Sequence, residues 1–334
     1  MNKVIVLLGP TCVGKTGVSL LLAKALETEI ISADSMQIYR QMDIGTAKPF
    51  LTERALIRHH MIDIAEPWES YSAGKYISSV VPIIEALQKK GKIPVIVGGT
   101  GLYIKAMTRG LFSGPSADWT LRENLLSREK EETGTLYNHL KELDPEAALK
   151  ITPNDTRRIV RALEVCLKGS TNISEMQKKL TQPLPYEFIK IGLSRDRKEL
   201  YRMIGTRVDE MIESGLVEEV RLVIERIRDK EGQRHREAKG EDPFVAPLPS
   251  MQAIGYKEIV MYLRGEIPLD EAVRLMKRGT KRYAKRQFTW FRKEEGIRWI
   301  DISGIHAAGE VFHLVWEIVQ YGGVLETPCN SKEK

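Results

Sequence analysis

Five consecutive apolar residues, Val4-Ile5-Val6-Leu7-Leu8, predict a short buried strand that stops at Gly9-Pro10. Helical periodicity from Val18 to Ala25 predicts a helix directly behind it. A second strand is expected at Glu29-Ile30-Ile31-Ser32-Ala33 and a third at Pro94-Val95-Ile96-Val97. Between them, Ala73 to Lys89 places Tyr76, Val80, Ile83, Ile84 and Leu87 on one helical face. Such alternation over residues 1–110 implies a parallel sheet covered by helices.

From Pro115 to Lys179 strand signals vanish and helical periods dominate. Ile159, Leu163 and Leu167 form one stripe, flanked by Ala162 and Val165. This predicts a small helical domain over residues 115–186, inserted into a core made of 1–114 and 187–325. The core resumes with a strand at Glu187 to Leu193 and a helix from Arg197 to Ile212 that stops at Gly215. Residues 229–249 are polar, lack periodicity and read as a flexible loop. A helical block follows from Leu269 to Arg292, then a short strand at Arg298 to Asp301, and residues 327–334 read as a disordered tail.

Composition narrows this picture in two ways. With 334 residues, 42% hydrophobic and 29% charged, the chain reads as globular, and a net charge of +6 favours a polyanionic partner. Cys12, Cys166 and Cys329 are widely spaced, which argues against a disulfide framework or structural zinc. The opening apolar run is too short for a signal peptide, and no stretch has the length of a membrane span, so a cytoplasmic location is expected.

Gly9-Pro10-Thr11-Cys12-Val13-Gly14-Lys15-Thr16 fits the phosphate-loop pattern, set between the expected strand and helix. The expected fold class is therefore α/β, a P-loop NTPase-like parallel sheet flanked by helices and carrying the inserted helical domain. In such a loop, backbone N–H groups and the helix N-terminus face an anion. Lys15 supplies a cation and Thr16 a hydroxyl for Mg2+. ATP or GTP is the default ligand, but a hydrolase needs a further acid at a strand end. The strand ending at Val97 runs into Gly98-Gly99-Thr100 and supplies none, whereas the strand before it ends at Asp34. Asp34 suits a general base, a metal ligand or both; a helix N-cap is the plain alternative. His59 and His60 lack a nearby third ligand and suit a structural role, and Cys12 suits a small filler.

Beyond these motifs, Ala33 to Tyr39, Met42 to Pro49, His59 to Asp63, Tyr71 to Tyr76 and Gly98 to Tyr103 together resemble the tRNA dimethylallyltransferase (tRNA isopentenyltransferase) family, bacterial type. The resemblance continues through Arg158 to Glu164, Met251 to Glu258 and Tyr283 to Arg292. It implies transfer of a dimethylallyl group from dimethylallyl diphosphate to N6 of the adenosine 3′ of the tRNA anticodon, with Mg2+. Gly9, Thr11, Cys12, Val13, Gly14, Lys15 and Thr16 would then hold the diphosphate leaving group. Asp34 would be the general base, Thr100 its neighbour near the reacting carbon, and Arg207 a support for the diphosphate. Implied tRNA contacts are Asp34, Ser35, Met36, Gln37 and Thr100, then Arg122, Arg157, Arg158, Ile159, Val160 and Arg161. Gln252, Gly255, Tyr256, Lys257, Lys281, Arg282 and Lys285 complete that set. No obligatory protein partner is evident in the sequence, which allows a monomer and leaves the oligomeric state open.

The charge pattern supports an RNA partner independently. From Ala272 to Lys293 the chain carries no acid, and Lys277, Lys281 and Lys285 follow one another at i, i+4 with Arg278, Arg282 and Arg286 beside them. Tyr283, Trp290 and Phe291 at this spacing suit core packing more than base stacking. Departures from the family pattern are the long charged stretch from Asp229 to Pro249 and a lysine at Lys281 in place of arginine. The competing readings are a P-loop small-molecule kinase and a non-catalytic, nucleotide-gated RNA-binding protein.

Overall fold

The first strand, β1 (Lys3–Leu8), leads through a glycine-bounded loop into α1 (Lys15–Ala25). There follow β2 (Ile30–Ala33), α2 (Leu51–Leu56), β3 (His59–His60), α3 (Ala73–Lys89), β4 (Val95–Gly98) and α4 (Gly101–Thr108). The computed structural model describes residues 2–235 and 248–321, apart from Ser113 and Ser170. Five helices come next: α5 (Trp119–Glu131), α6 (Thr135–Leu143), α7 (Pro145–Lys150), α8 (Thr156–Lys168) and α9 (Ile173–Leu180). The chain then forms β5 (Glu187–Ser194), α10 (Arg197–Glu213), α11 (Leu216–His235), α12 (Tyr256–Leu263), α13 (Leu269–Phe291), β6 (Ile297–Asp301) and α14 (Ala308–Tyr321). Two compact units result, one holding the chain up to Ile104 and from Pro185 onward, the other Lys105–Leu184.

In the first unit the six strands lie in the order β3-β2-β4-β1-β5-β6, every pairing parallel. The register aligns Leu8 with Gly98, and Gly98 with Ala33. The residues that follow those three, namely Gly9, Gly99 and Asp34, therefore emerge side by side at the carboxyl edge of the sheet. That edge, where neighbouring strands are not consecutive in sequence, is where open α/β sheets place ligands.

Two apolar clusters hold this edge in place. One joins Ile5, Leu7, Ile189 and Ile191 of the sheet to Val18 and Leu22 of α1 and to Val311, Val315 and Val319 of α14. The other packs Ile38, Tyr39 and Met42 against Val208 of α10, Leu216 and Val220 of α11, Tyr256 of α12 and Met276 of α13. Fully burying one such side chain contributes about 1.5–3 kcal/mol. α10 and α13 are thereby fixed where their side chains reach the sheet edge.

The segment expected as a loop from 229 begins as helix instead, because α11 runs on to His235. Its buried residues Val220, Val223, Ile224 and Ile227 anchor the helix, and Arg228, Lys230 and Glu231 are strong helix formers that let it continue. Residues 236–247, and the expected tail at 327–334, lie outside the described residues. β3, only two residues long, carries too little sequence pattern to be anticipated, whereas α14 was missed although Val311, Val315 and Val319 recur at i, i+4 on its buried face.

The second unit centres on Leu125, Leu136, Leu140, Ile159 and Leu163. Leu167 leaves the expected stripe and is 46% exposed. Four-residue steps overshoot the helical turn by about 40° each, so a stripe of i, i+4, i+8 drifts off the core face. Among the described residues, no helix is long and apolar enough to cross a membrane.

Candidate active site

Gly14, at φ +110°, begins α1 in a conformation that favours glycine, and no side chain caps the helix. The N-terminal N–H groups stay open for an anion. Lys15 folds back so that Nζ donates to the carbonyls of Gly9 (2.9 Å) and Pro10 (2.8 Å). Burial pushes its pKa down to about 8; Asp34 opposes that shift and Arg207 adds to it. Thr16 is exposed, whereas the Cys12 and Val13 side chains are buried and leave only their backbone for a ligand. The Thr11 N–H is already committed, donating to Oε1 of Gln287 at 2.9 Å.

Asp34 follows β2 directly. Its Oδ1 accepts from the N–H groups of Met36 (2.8 Å) and Gln37 (3.4 Å) and closes the turn after β2; no helix begins there, so the helix N-cap alternative does not hold. Both bonds fall on Oδ1. Burial raises its pKa, against the pull of those two N–H groups and of Lys15. Thr100, just past β4, sits beside it: its N–H donates to the Ala33 carbonyl (3.1 Å) and its Oγ1 accepts from the Ser35 N–H (3.0 Å).

A cavity of about 240 Å³ has Gly14, Lys15, Thr16, Asp34, Gln37, Arg207, Tyr283 and Gln287 on its walls, and Thr100 stands behind that lining. A second cavity of about 270 Å³ shares Thr11, Asp34, Arg207 and Tyr283 and adds Ser35, Met36, Gln252 and Arg286. Asp34 thus faces both spaces. Arg207, on α10, brings a guanidinium to each of them. One rim is the turn at Thr46 and Ala47. Glu219 of α11 holds that rim by accepting the N–H groups of Asp43 (2.9 Å), Ile44 (2.7 Å) and Gly45 (3.1 Å). Gln37 steadies it from inside, its Nε2 donating to Thr46 (3.3 Å) and Ala47 (3.1 Å). The Gln37 amide therefore serves the turn.

Comparison with known proteins places the chain in a family. The family model for IPP transferase matches residues 37–294. The chain belongs to the IPP transferase family. It is 58% identical over 305 residues to the tRNA dimethylallyltransferase of Thermodesulfovibrio yellowstonii, covering 91% of this chain and 93% of that protein. It is also similar to the solved full-length tRNA isopentenylpyrophosphate transferase of Bacillus halodurans (36% identity, TM-score 0.67, 96% of this chain and 98% of that one). A eukaryotic dimethylallyltransferase solved acting on tRNA is 28% identical with TM-score 0.75, over 99% of this chain and 82% of that one. The α/β fold and membership of a prenyl-transferring enzyme family are thereby shown.

In this IPP transferase the remaining candidates separate by where their side chains go. Arg157 and Arg158 are exposed at the start of α8, Arg158 beside Asp155 at 3.2 Å. Ile159 and Val160 face the helical core, 2% and 5% exposed, so their side chains pack rather than meet RNA. Arg122 turns inward as well, forking onto buried Glu164 at 2.9 and 2.8 Å, with Arg161 on the same carboxylate. Tyr256 is fully buried and donates its hydroxyl to Glu219. Gly255 donates its N–H to Glu258, and Lys257 is exposed.

Along α13, Arg282 and Lys285 are exposed, but Lys277 pairs with Asp209 at 2.7 Å and Lys281 lies over the Tyr201 ring at 5.7 Å. The basic stripe is narrower than its sequence suggests, because its lysine row leans on α10. Tyr283 lines both cavities, so the core-packing expectation holds for buried Phe291 but not for Tyr283. Gln287 is 6% exposed and was missed as a site residue; a neutral amide on the stripe of Ala272, Met276, Ala284 and Phe291 was the available signal. His60 bonds Glu29 at 2.6 Å and His59 bonds the Ile57 carbonyl at 2.8 Å. Among the described residues no group of three His, Cys, Asp or Glu side chains could hold a metal.

Proposed function

We propose that this enzyme transfers a dimethylallyl group from its diphosphate to N6 of the adenosine 3′ of a tRNA anticodon. The observation that carries the reading is one cavity edge with two chemical halves. Lys15, Arg207 and the open N-terminus of α1 form a site for a departing anion, and Asp34 stands beside it as a buried base.

The allylic C–O bond breaks and the diphosphate leaves with its electron pair, while an N6–C bond forms. An exocyclic amine is a weak nucleophile because its lone pair is delocalised into the ring. Asp34 takes the proton as that lone pair is committed, and its raised pKa suits a general base better than an ordinary surface carboxylate. Positive charge fixed around the leaving oxygens acts where charge accumulates in the transition state. The Thr16 hydroxyl, with the substrate's own phosphate oxygens, fits Mg2+, which keeps several waters and needs few protein ligands. When bound, Mg2+ would add neutralisation of the leaving group. The second cavity, reaching from Asp34 to Gln252, has room for an unstacked base. Exposed Arg157, Arg158, Arg282 and Lys285 supply phosphate contacts.

The test is incubation with unmodified tRNA and dimethylallyl diphosphate, followed by nucleoside mass spectrometry. Prenylated adenosine is expected. Phosphate transfer from ATP to a small acceptor, with unmodified tRNA, would establish the kinase reading instead.

A further inference from the structure

We propose that Gln287 is a positioning residue that sets the spacing between the leaving-group half and the base half of the site. The inference rests on the prenyl-transfer reading. Gln287 is nearly buried toward the C-terminal end of the strongly basic α13, on the same face as Ala272, Met276, Ala284 and Phe291. Its amide is used at both ends. Oε1 accepts the Thr11 N–H of the phosphate loop at 2.9 Å, and Nε2 donates to the Gly99 carbonyl at 2.9 Å. Thr11 belongs to the loop after β1, whereas Gly99 directly precedes Thr100, whose hydroxyl holds the Ser35 N–H next to Asp34.

One planar amide therefore spans the two neighbouring strand ends whose spacing sets the distance from leaving group to base. The approach admits no slack on the Gly99 side, where an added Cβ would lie 2.2 Å from Nε2. The bond also spends an N–H of the phosphate loop on the protein itself, leaving the N–H groups nearer α1 for the anion. A glutamine suits this task because it is donor and acceptor at once and uncharged. An apolar residue in its place strands a buried N–H and a buried carbonyl.

Two substitutions separate positioning from mere packing. Gln287→Met keeps the length and loses both bonds; kcat is expected to fall by about 10²-fold, with KM for donor and tRNA little changed. Gln287→Glu keeps the acceptor, and once protonated it can also donate to Gly99. Its kcat relative to wild type should therefore rise as pH falls. The ratio removes the pH dependence that both enzymes share through Lys15, Asp34, His59 and Tyr283 of this cavity, with the Arg207 guanidinium a constant charge.

Amide hydrogen exchange at Thr11 provides a readout independent of turnover, and should quicken in Gln287→Met. Wild-type kcat in Gln287→Met overturns the proposal, as does a Gln287→Glu ratio that stays flat with pH. If Gln287→Met does not fold, the Gln287→Glu ratio decides alone. Wild-type enzyme that fails to prenylate tRNA at all refutes the parent reading rather than this one, while unchanged Thr11 exchange in a folded variant refutes this one regardless.

Discussion

Replacing Asp34 by asparagine removes a base and almost nothing else. The Asn Oδ1 can still accept the N–H groups of Met36 and Gln37, which now reach Asp34 at 2.8 and 3.4 Å, so the turn after β2 should persist. An amide cannot take the N6 proton at any working pH. Loss of a positioned general base costs about 10²- to 10⁴-fold in rate, which is roughly 2.7–5.4 kcal/mol of barrier. Stability should move the other way or not at all. Burial raises the folded pKa of Asp34, so the folded state favours its protonated form, and the carboxylate costs stability as pH rises above its unfolded pKa. At neutral pH the variant should melt no lower than wild type. The assays are single-turnover transfer at saturating donor and tRNA for the rate loss and kcat/KM across pH for the titration, with donor and tRNA affinities measured separately. Wild-type kcat/KM should rise with pH through a value above the ordinary aspartate range, and Asp34→Asn should lack that limb. Equal turnover in a folded variant would remove Asp34 from the chemistry.

Lys15, with its pKa near 8, predicts the alkaline limb: kcat/KM for the donor should decline above about pH 8 as the free enzyme loses that cation. A flat profile to pH 9.5 or so would show the charge to be dispensable over the range in which Lys15 titrates. In the helical unit, Glu164→Ala strands the guanidiniums of Arg122 and Arg161 and the Asp118 N–H that now bonds Glu164 at 2.7 Å. Both guanidiniums keep some access to water, so the unit should lose about 1–3 kcal/mol, the scale for a lost charged hydrogen bond and a stranded N–H, and an unchanged calorimetric melt would contradict this. Arg282→Glu with Lys285→Glu should weaken tRNA binding and flatten the log–log salt slope by roughly 0.7–0.9 for every phosphate that is no longer neutralised. Donor affinity should hold, and an unchanged slope would place this face away from RNA.

The half of the candidate site built from strand ends was legible in the sequence. A phosphate loop after the first apolar run, an acid after the second and Gly-Gly-Thr after the third each belong to a local pattern. Parallel strands with helical crossovers can only deliver such residues to one edge. The other half depends on side chains from helices far along the chain. Arg207 stood out only through family resemblance, and Gln287 and Glu219 bore no role until α13 and α11 were placed against the loops they hold. Charge was the least dependable guide. Arg122, implied as an RNA contact, forks onto Glu164, and Lys277 of the basic stripe pairs with Asp209. A residue's charge is written in the sequence, but whether that charge meets solvent or a carboxylate is not.

Residue order alone was enough for the parallel α/β core, the phosphate loop and the acid beside it, because strand runs, glycine-bounded turns and helix starts are short-range consequences of residue type. It took the packed molecule to bring Lys15, Arg207 and Asp34 onto one cavity, to show which arginines stay exposed, and to place a glutamine of a basic helix between Thr11 and Gly99. Those outcomes follow from register between strands and from which helical face meets the sheet. Both are set by packing among residues separated by hundreds of positions, as Thr11 and Gln287 are by 276.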